Sequence, residues 1–138
     1  MALELTKDSI DLGIVTGRPD EMVAFYRDVL GFDDRGTSPL PGGPRSGGTM
    51  YRLMCGTSLI KIVAPHNPPG LVAAPGGIGA ATGYRYWTIS VSNLHEAVAA
   101  CQAAGTPVAV APTEIRPGVT IAIVEDPDGN WVELLTVA

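Results

Sequence analysis

The sequence predicts an α+β fold: two copies of a strand–helix–strand–strand–strand module, their curved sheets closing a cup with the helices outside. Three observations carry this. The pattern of alternating and helical apolar residues read over the first half restarts near Tyr84. Identities recur at a shift of about 75 residues, as an internal repeat requires: Ile14 with Ile89, Glu21 with Glu96, Val23 with Val98 and Ala24 with Ala99. A run rich in Pro, Gly and Ala, His66 to Gly83, separates the two copies. One copy alone would leave a sheet face uncovered, whereas two can enclose a small-molecule cavity. The 138 residues are therefore read as one domain, with module one at 8–65, a connector at 66–83 and module two at 84–138.

The elements follow in order. From Ser9 to Thr16, Ile10, Leu12 and Ile14 alternate with Asp11, Gly13 and Val15, as the two faces of a strand do. Pro19 suits a first helical position, and Asp20 and Glu21 suit its positive end. Between Glu21 and Leu30, Met22, Phe25, Tyr26 and Val29/Leu30 form one helical stripe, and Gly31 stops it. Residues 36–48, crowded with Gly and Pro, read as a loop without regular structure. Met50 to Cys55 and Ser58 to Val63 read as strands joined by a hairpin at Gly56-Thr57. In the second copy, a strand from Tyr84 to Val91 leads to a helix from Asn93, its expected N-cap, to Ala104. Strands near Val108 to Ala111, Val119 to Glu125 and Trp131 to Val137 complete it, with a turn at Asp126-Pro127-Asp128-Gly129-Asn130.

Composition excludes several classes. An ordinary apolar fraction with a net charge of −5 argues against a disordered chain. Two cysteines far apart in sequence, Cys55 and Cys101, do not make a disulfide framework and read as buried thiols. A pI near 4.8 with no Lys/Arg cluster argues against nucleic acid. No run approaches the roughly 20 apolar residues of a membrane helix, and the start lacks the pattern of a signal peptide. A cytoplasmic protein is expected, with neither nucleic acid nor membrane as a partner.

Two segments carry a family resemblance. Asp11-Leu12-Gly13-Ile14-Val15, followed by Ala24-Phe25-Tyr26-Arg27-Asp28-Val29-Leu30-Gly31-Phe32, resembles the opening of the glyoxalase/bleomycin resistance/dioxygenase (vicinal oxygen chelate) superfamily. Glu125-Asp126-Pro127-Asp128-Gly129-Asn130-Trp131-Val132-Glu133-Leu134 is similar to that family's ending. The resemblance implies paired modules, a curved mixed sheet, frequent dimers, and a divalent metal held by one residue from each of four strands. It places Asp11, Lys61, Tyr86 and Glu133 at those four positions, and only Glu133 keeps a customary ligand. Alternation puts the same four residues opposite the apolar side of their strands, so all four are expected to point into the cup.

The chemistry of this quartet disfavours a metal. An ammonium has no free lone pair, and a phenol with a pKa of about 10 is a poor ligand at neutral pH. Two carboxylates alone do not close a site. No cofactor is expected, and Lys61, held between Asp11 and Glu133, would supply the positive charge. His66, His95 and Arg45 read as surface residues. Tyr84 and Trp131 are expected to share the inner side with the quartet and to offer aromatic surface, with Thr88 and Arg52 as further substrate contacts. The leading expectation is a metal-independent isomerase or lyase acting on an oxygenated small molecule. Asp11 or Glu133 would take a proton, and Lys61 and Tyr86 would stabilise the oxyanion. The alternatives are a bleomycin-resistance-type protein that binds without chemistry, and a divalent-metal lyase or dioxygenase. A homodimer is expected.

Overall fold

Two four-stranded mixed sheets and two helices make up the fold in a computed structural model that describes residues 1–138. The strands are β1 (Leu12–Val15), β2 (Asp33–Leu40), β3 (Gly48–Cys55) and β4 (Ser58–Pro65) in the first sheet. The second sheet holds β5 (Tyr86–Ser90), β6 (Val108–Arg116), β7 (Val119–Glu125) and β8 (Trp131–Val137). The strand orders are β1-β4-β3-β2 and β5-β8-β7-β6, so the repeat read from the sequence is a repeat of topology. In each sheet the first and last strands pair in parallel and the rest are antiparallel. The chain divides into two units, each described by itself: Met1–Pro19 with Phe32–Pro68, and Asp20–Gly31 with Pro69–Ala138.

In the first unit, register puts Leu12 beside Ile60 and Ile14 beside Ile62, while Leu53 pairs with Ile60 from the other side. Leu53, Ile60 and Ile62 are fully buried, each worth about 1.5–3 kcal/mol over exposure. A slip of one residue would expose all of them. Ile10 departs from the alternation read in the sequence. The strand begins only at Leu12, and Ile10 is 80% exposed. The loop expected over 36–48 is also corrected, because residues 33–40 form β2, paired with β3. A register shift between Asp34 and Thr37 absorbs Gly36, whose φ of +81° suits a bulge. Pro39 is tolerated because β2 is an edge strand.

The second unit contains the first helical segment. Helix α1 (Pro19–Ala24) starts at the expected proline but passes into a π-helical turn, Phe25–Val29, closed by Leu30 N–H donating to the Phe25 carbonyl at 3.0 Å. The wider turn lets two consecutive aromatic residues, Phe25 and Tyr26, both be buried. They meet edge to face at 4.8 Å between ring centroids, and the Tyr26 ring lies 6.1 Å from that of Trp87 on β5. Helix α2 (Leu94–Ala103) buries Leu94 and Val98 against Ala122 and Leu134, flanked by Ile89 and Val108. Asn93 occupies the N-cap but makes no side-chain capping bond.

Candidate functional site

On the first sheet, the face opposite Ile60 and Ile62 carries the charges. Lys61 on β4 stands directly between Gly13 on β1 and Arg52 on β3. Lys61 is half-buried and forms no ion pair or hydrogen bond. Arg52 donates from Nη2 to the Arg35 carbonyl at 2.7 Å, while its Nε is buried without an acceptor. Asp11 precedes β1 and is exposed, and its Oδ1 accepts from Lys7 Nζ at 2.7 Å and from Leu59 N–H at 3.2 Å. The Lys7 bond, then the Leu59 N–H, hold the Asp11 carboxyl below its ordinary value. The expected ion pair of Lys61 with Asp11 is therefore corrected. Asp11 is committed to Lys7, because a flexible neighbour four residues away reaches it first.

On the second sheet, α2 covers the face bearing Ile89, Ala122 and Leu134, and the opposite face carries Tyr86, Thr88 and Glu133 beside the apolar Ile121 and Ile123. Register sets Tyr86 beside Trp131 and Thr88 beside Glu133. The Thr88 hydroxyl donates to Glu133 Oε1 at 2.7 Å, which aims the carboxylate. The Trp131 indole N–H donates to Glu125 Oε1 at 3.2 Å. Tyr86 is 47% exposed on this face. Tyr84 does not share it. It precedes β5 and is fully exposed, because the strand starts two residues later than the apolar pattern suggests.

The connector lies over part of the same face. Its 3₁₀ turn, Gly77–Gly79, packs on Trp131 so closely that a Cβ at Gly77 would overlap the indole ring. The expectation that Trp131 offers open aromatic surface is thus corrected at that ring. Arg85 anchors the turn, donating from Nε to the Gly77 carbonyl at 2.8 Å and from Nη2 to that of Ala74 at 2.7 Å. Neither contact had a sequence signal, since nothing in local spacing pairs a glycine with a tryptophan 54 residues on. His66, His95 and Arg45 are exposed, as read. Burial raises both thiols, Cys55 and Cys101, above their ordinary value.

The two terminal motifs meet inside the second unit. Tyr26 O–H donates to Asp126 Oδ2 at 2.7 Å. Asn130 Nδ2 donates to the same oxygen at 2.9 Å, and the backbone N–H groups of Asp128 and Asn130 donate to Oδ1 at 2.9 Å. Burial pushes the Asp126 carboxyl up, opposed by these bonds. Burial and then the Asp126 charge push Tyr26 well above its ordinary value, so the phenol stays a donor. The link orders the turn and docks the π-helical segment. Both motifs are legible in the sequence, and their contact, across 100 residues, is not.

The donor set does not suit a divalent metal. No three His, Cys, Asp or Glu side chains gather to hold an ion, and neither the Lys61 ammonium nor the Tyr86 phenol is a ready ligand at neutral pH. No helix is long and apolar enough to cross a membrane.

The family model of the Glyoxalase/Bleomycin resistance protein/Dioxygenase superfamily matches residues 9–134. No curated protein matches the sequence. Among solved structures, a glyoxalase family protein from Bacillus cereus superposes with a TM-score of 0.81 at 16% identity, covering 98% of this chain and 96% of that one. The trypanothione-dependent glyoxalase I of Leishmania major gives 0.67 at 22% identity, covering 91% and 84%. A glyoxalase I mutant from Zea mays gives 0.72 at 18% identity, covering 91% of this chain and 43% of that one. At these identities the likeness concerns the fold.

Proposed function

Because the chain belongs to the Glyoxalase/Bleomycin resistance protein/Dioxygenase superfamily, and that fold hosts many reactions, we propose its activity from the polar side chains on the second sheet's face opposite α2. The protein is a metal-independent isomerase or lyase acting on an oxygenated small molecule. The observation that carries this reading is the Thr88–Glu133 bond of 2.7 Å, with Tyr86 one pleat away on the same face. Glu133 is the general base. Thr88 occupies Oε1, which leaves Oε2 to take a proton from the carbon beside a carbonyl. Tyr86 then donates a hydrogen bond to the enolate oxygen as charge develops there. Return of the proton to a neighbouring carbon isomerises the substrate, and loss of a β-substituent completes a lyase reaction. The absence of a metal from this scheme rests on the donor chemistry of Lys61 and Tyr86. Asp11 is the weaker base, since Lys7 and Leu59 N–H already hold it.

The test is solvent exchange. A panel of small α-hydroxy ketones and α-hydroxy aldehydes in D2O is followed by proton NMR with the purified protein after chelator treatment. Deuterium entering the α-carbon with the wild type, and not with Glu133→Gln, supports the assignment. Exchange at equal rate with Glu133→Gln, or none with any compound, overturns it.

A second reading, binding without catalysis as in bleomycin-resistance-type proteins, is favoured by Tyr86, an aromatic side chain 47% exposed beside Glu133 and Thr88. Under it, Tyr86→Ala weakens a ligand found by thermal shift, while Glu133→Gln leaves affinity unchanged. A homodimer goes with either reading. A cytoplasmic location does too, where both free cysteines stay reduced.

A further inference from the structure

We propose that the Lys61 face of the first sheet is a binding site for the oxyanion of a small organic acid. Lys61 and Arg52 are directly opposed on an antiparallel pair, an arrangement of like charges that destabilises a sheet unless an anion joins it. No carboxylate does. Lys61 has no partner, and Asp11, whose field reaches Lys61, is bonded to Lys7 and Leu59 N–H. Arg52 is half satisfied, with Nη2 on the Arg35 carbonyl and Nε buried without an acceptor. A cation left part-satisfied beside a second cation is unfavourable, and an anion held next to the pair would offset the repulsion.

The third component is Gly13, which pairs with Lys61 from the β1 side. Its φ is not positive, so the backbone there accepts any residue. A Cβ built on it meets nothing within 4 Å. Glycine inside a strand weakens the strand, and here neither conformation nor packing calls for it. What it leaves is open space next to Lys61 in the register, where a ligand can approach the backbone. The pairs Leu59–Met54 and Val63–Met50 flank the two cations along the strands. Half-buried thioethers and aliphatic groups suit a short apolar body attached to the anion. The ligand class is thus a compact molecule with one carboxylate or phosphoryl group. The inference does not depend on the reaction assigned to Glu133.

Thermal unfolding and calorimetry of the full chain test it, with sodium isobutyrate, sodium acetate and inorganic phosphate compared with sodium chloride at matched ionic strength. At least one oxyanion raises the melting temperature beyond chloride. Isobutyrate acting above phosphate identifies a carboxylate site, and the reverse order a phosphoryl site. Lys61→Met, close in volume and expected to fold, weakens the affinity by about tenfold or more. Gly13→Ala keeps both cations. It raises the melting temperature of the free protein by about 2–5 °C, as glycine removal from a strand does, and yet weakens the anion. A purely structural glycine would not give that pair of results. Glu133→Gln leaves the anion response unchanged. The proposal is overturned if no oxyanion exceeds chloride, or if Lys61→Met and Gly13→Ala both respond as the wild type does.

Discussion

Equivalent positions of the two sheets hold opposite chemistry. In the first, the row across β1, β4 and β3 reads Gly13, Lys61, Arg52. In the second, the same row across β5, β8 and β7 reads Thr88, Glu133, Ile123. Strand order and register are alike, so the backbone is repeated while the side chains have become complementary. One row presents a lysine without a partner and an arginine whose Nε lacks an acceptor. The other presents a carboxylate already held by a hydroxyl and backed by a buried isoleucine. The symmetric scaffold supplies positions and leaves their chemistry free, which is why membership of this superfamily names a fold more securely than a reaction.

The largest effect that would sharpen the contrast is on turnover. Glu133→Gln should lower the rate of α-proton exchange by about 10²–10⁴-fold, the usual worth of a positioned base, while the thermal transition moves little. Exchange that survives this change would break the division of roles between the rows.

The second unit also holds the helical segment before Gly31, tied to the turn between β7 and β8 by the Tyr26–Asp126 bond. Tyr26→Phe should cost about 1.5–3 kcal/mol, the value of a hydrogen bond to a charged group. Denaturant midpoints with an unchanged m-value would register it. Gly77→Ala, at a φ of +63° and against the Trp131 ring, should cost about 1–3 kcal/mol and shift the tryptophan emission as the turn lifts.

Smaller still is the charge exchange Lys61→Glu, which gives the first row the acid of the second. It should pair with Arg52 and stabilise the fold by about 0.2–1 kcal/mol while abolishing any oxyanion response. Smallest is the titration of Asp11. Its carboxyl should titrate below the ordinary 3.8 by carbon-detected NMR and move back towards it in Lys7→Ala. Because the folded value is depressed, the stability it lends is present above the unfolded pKa and is lost as pH falls through the folded one.

Much of this was legible in the chain. Val119–Glu125 and Trp131–Val137 match the strands read from alternation to the residue, and the repeat at a shift of about 75 residues is a repeat of sheet topology. Pattern misled where a local rule had a tertiary exemption. Gly36 and Pro39 look like breakers, but a bulge on an edge strand accommodates both. Ile10 and Tyr84 extend the apolar alternation past the hydrogen-bonded ladder, and both are exposed. The helical stripe from Met22 to Leu30 was sound as a prediction of burial. Its passage into a π turn was not visible, and neither was the docking of Tyr26 on Asp126, 100 residues away.

The sequence by itself determined which residues alternate, where the turns fall and that one architecture occurs twice, since those depend on side-chain periodicity and on the φ preferences of glycine and proline. Which charges meet was decided only by tertiary structure. The pairing of Asp11 with Lys7, the hydroxyl on Glu133, the tie between Tyr26 and Asp126 and the cations left beside Gly13 all depend on strand register and on distances of about 3 Å, the reach of a hydrogen bond. No one-dimensional pattern encodes a separation that short between residues so far apart along the chain.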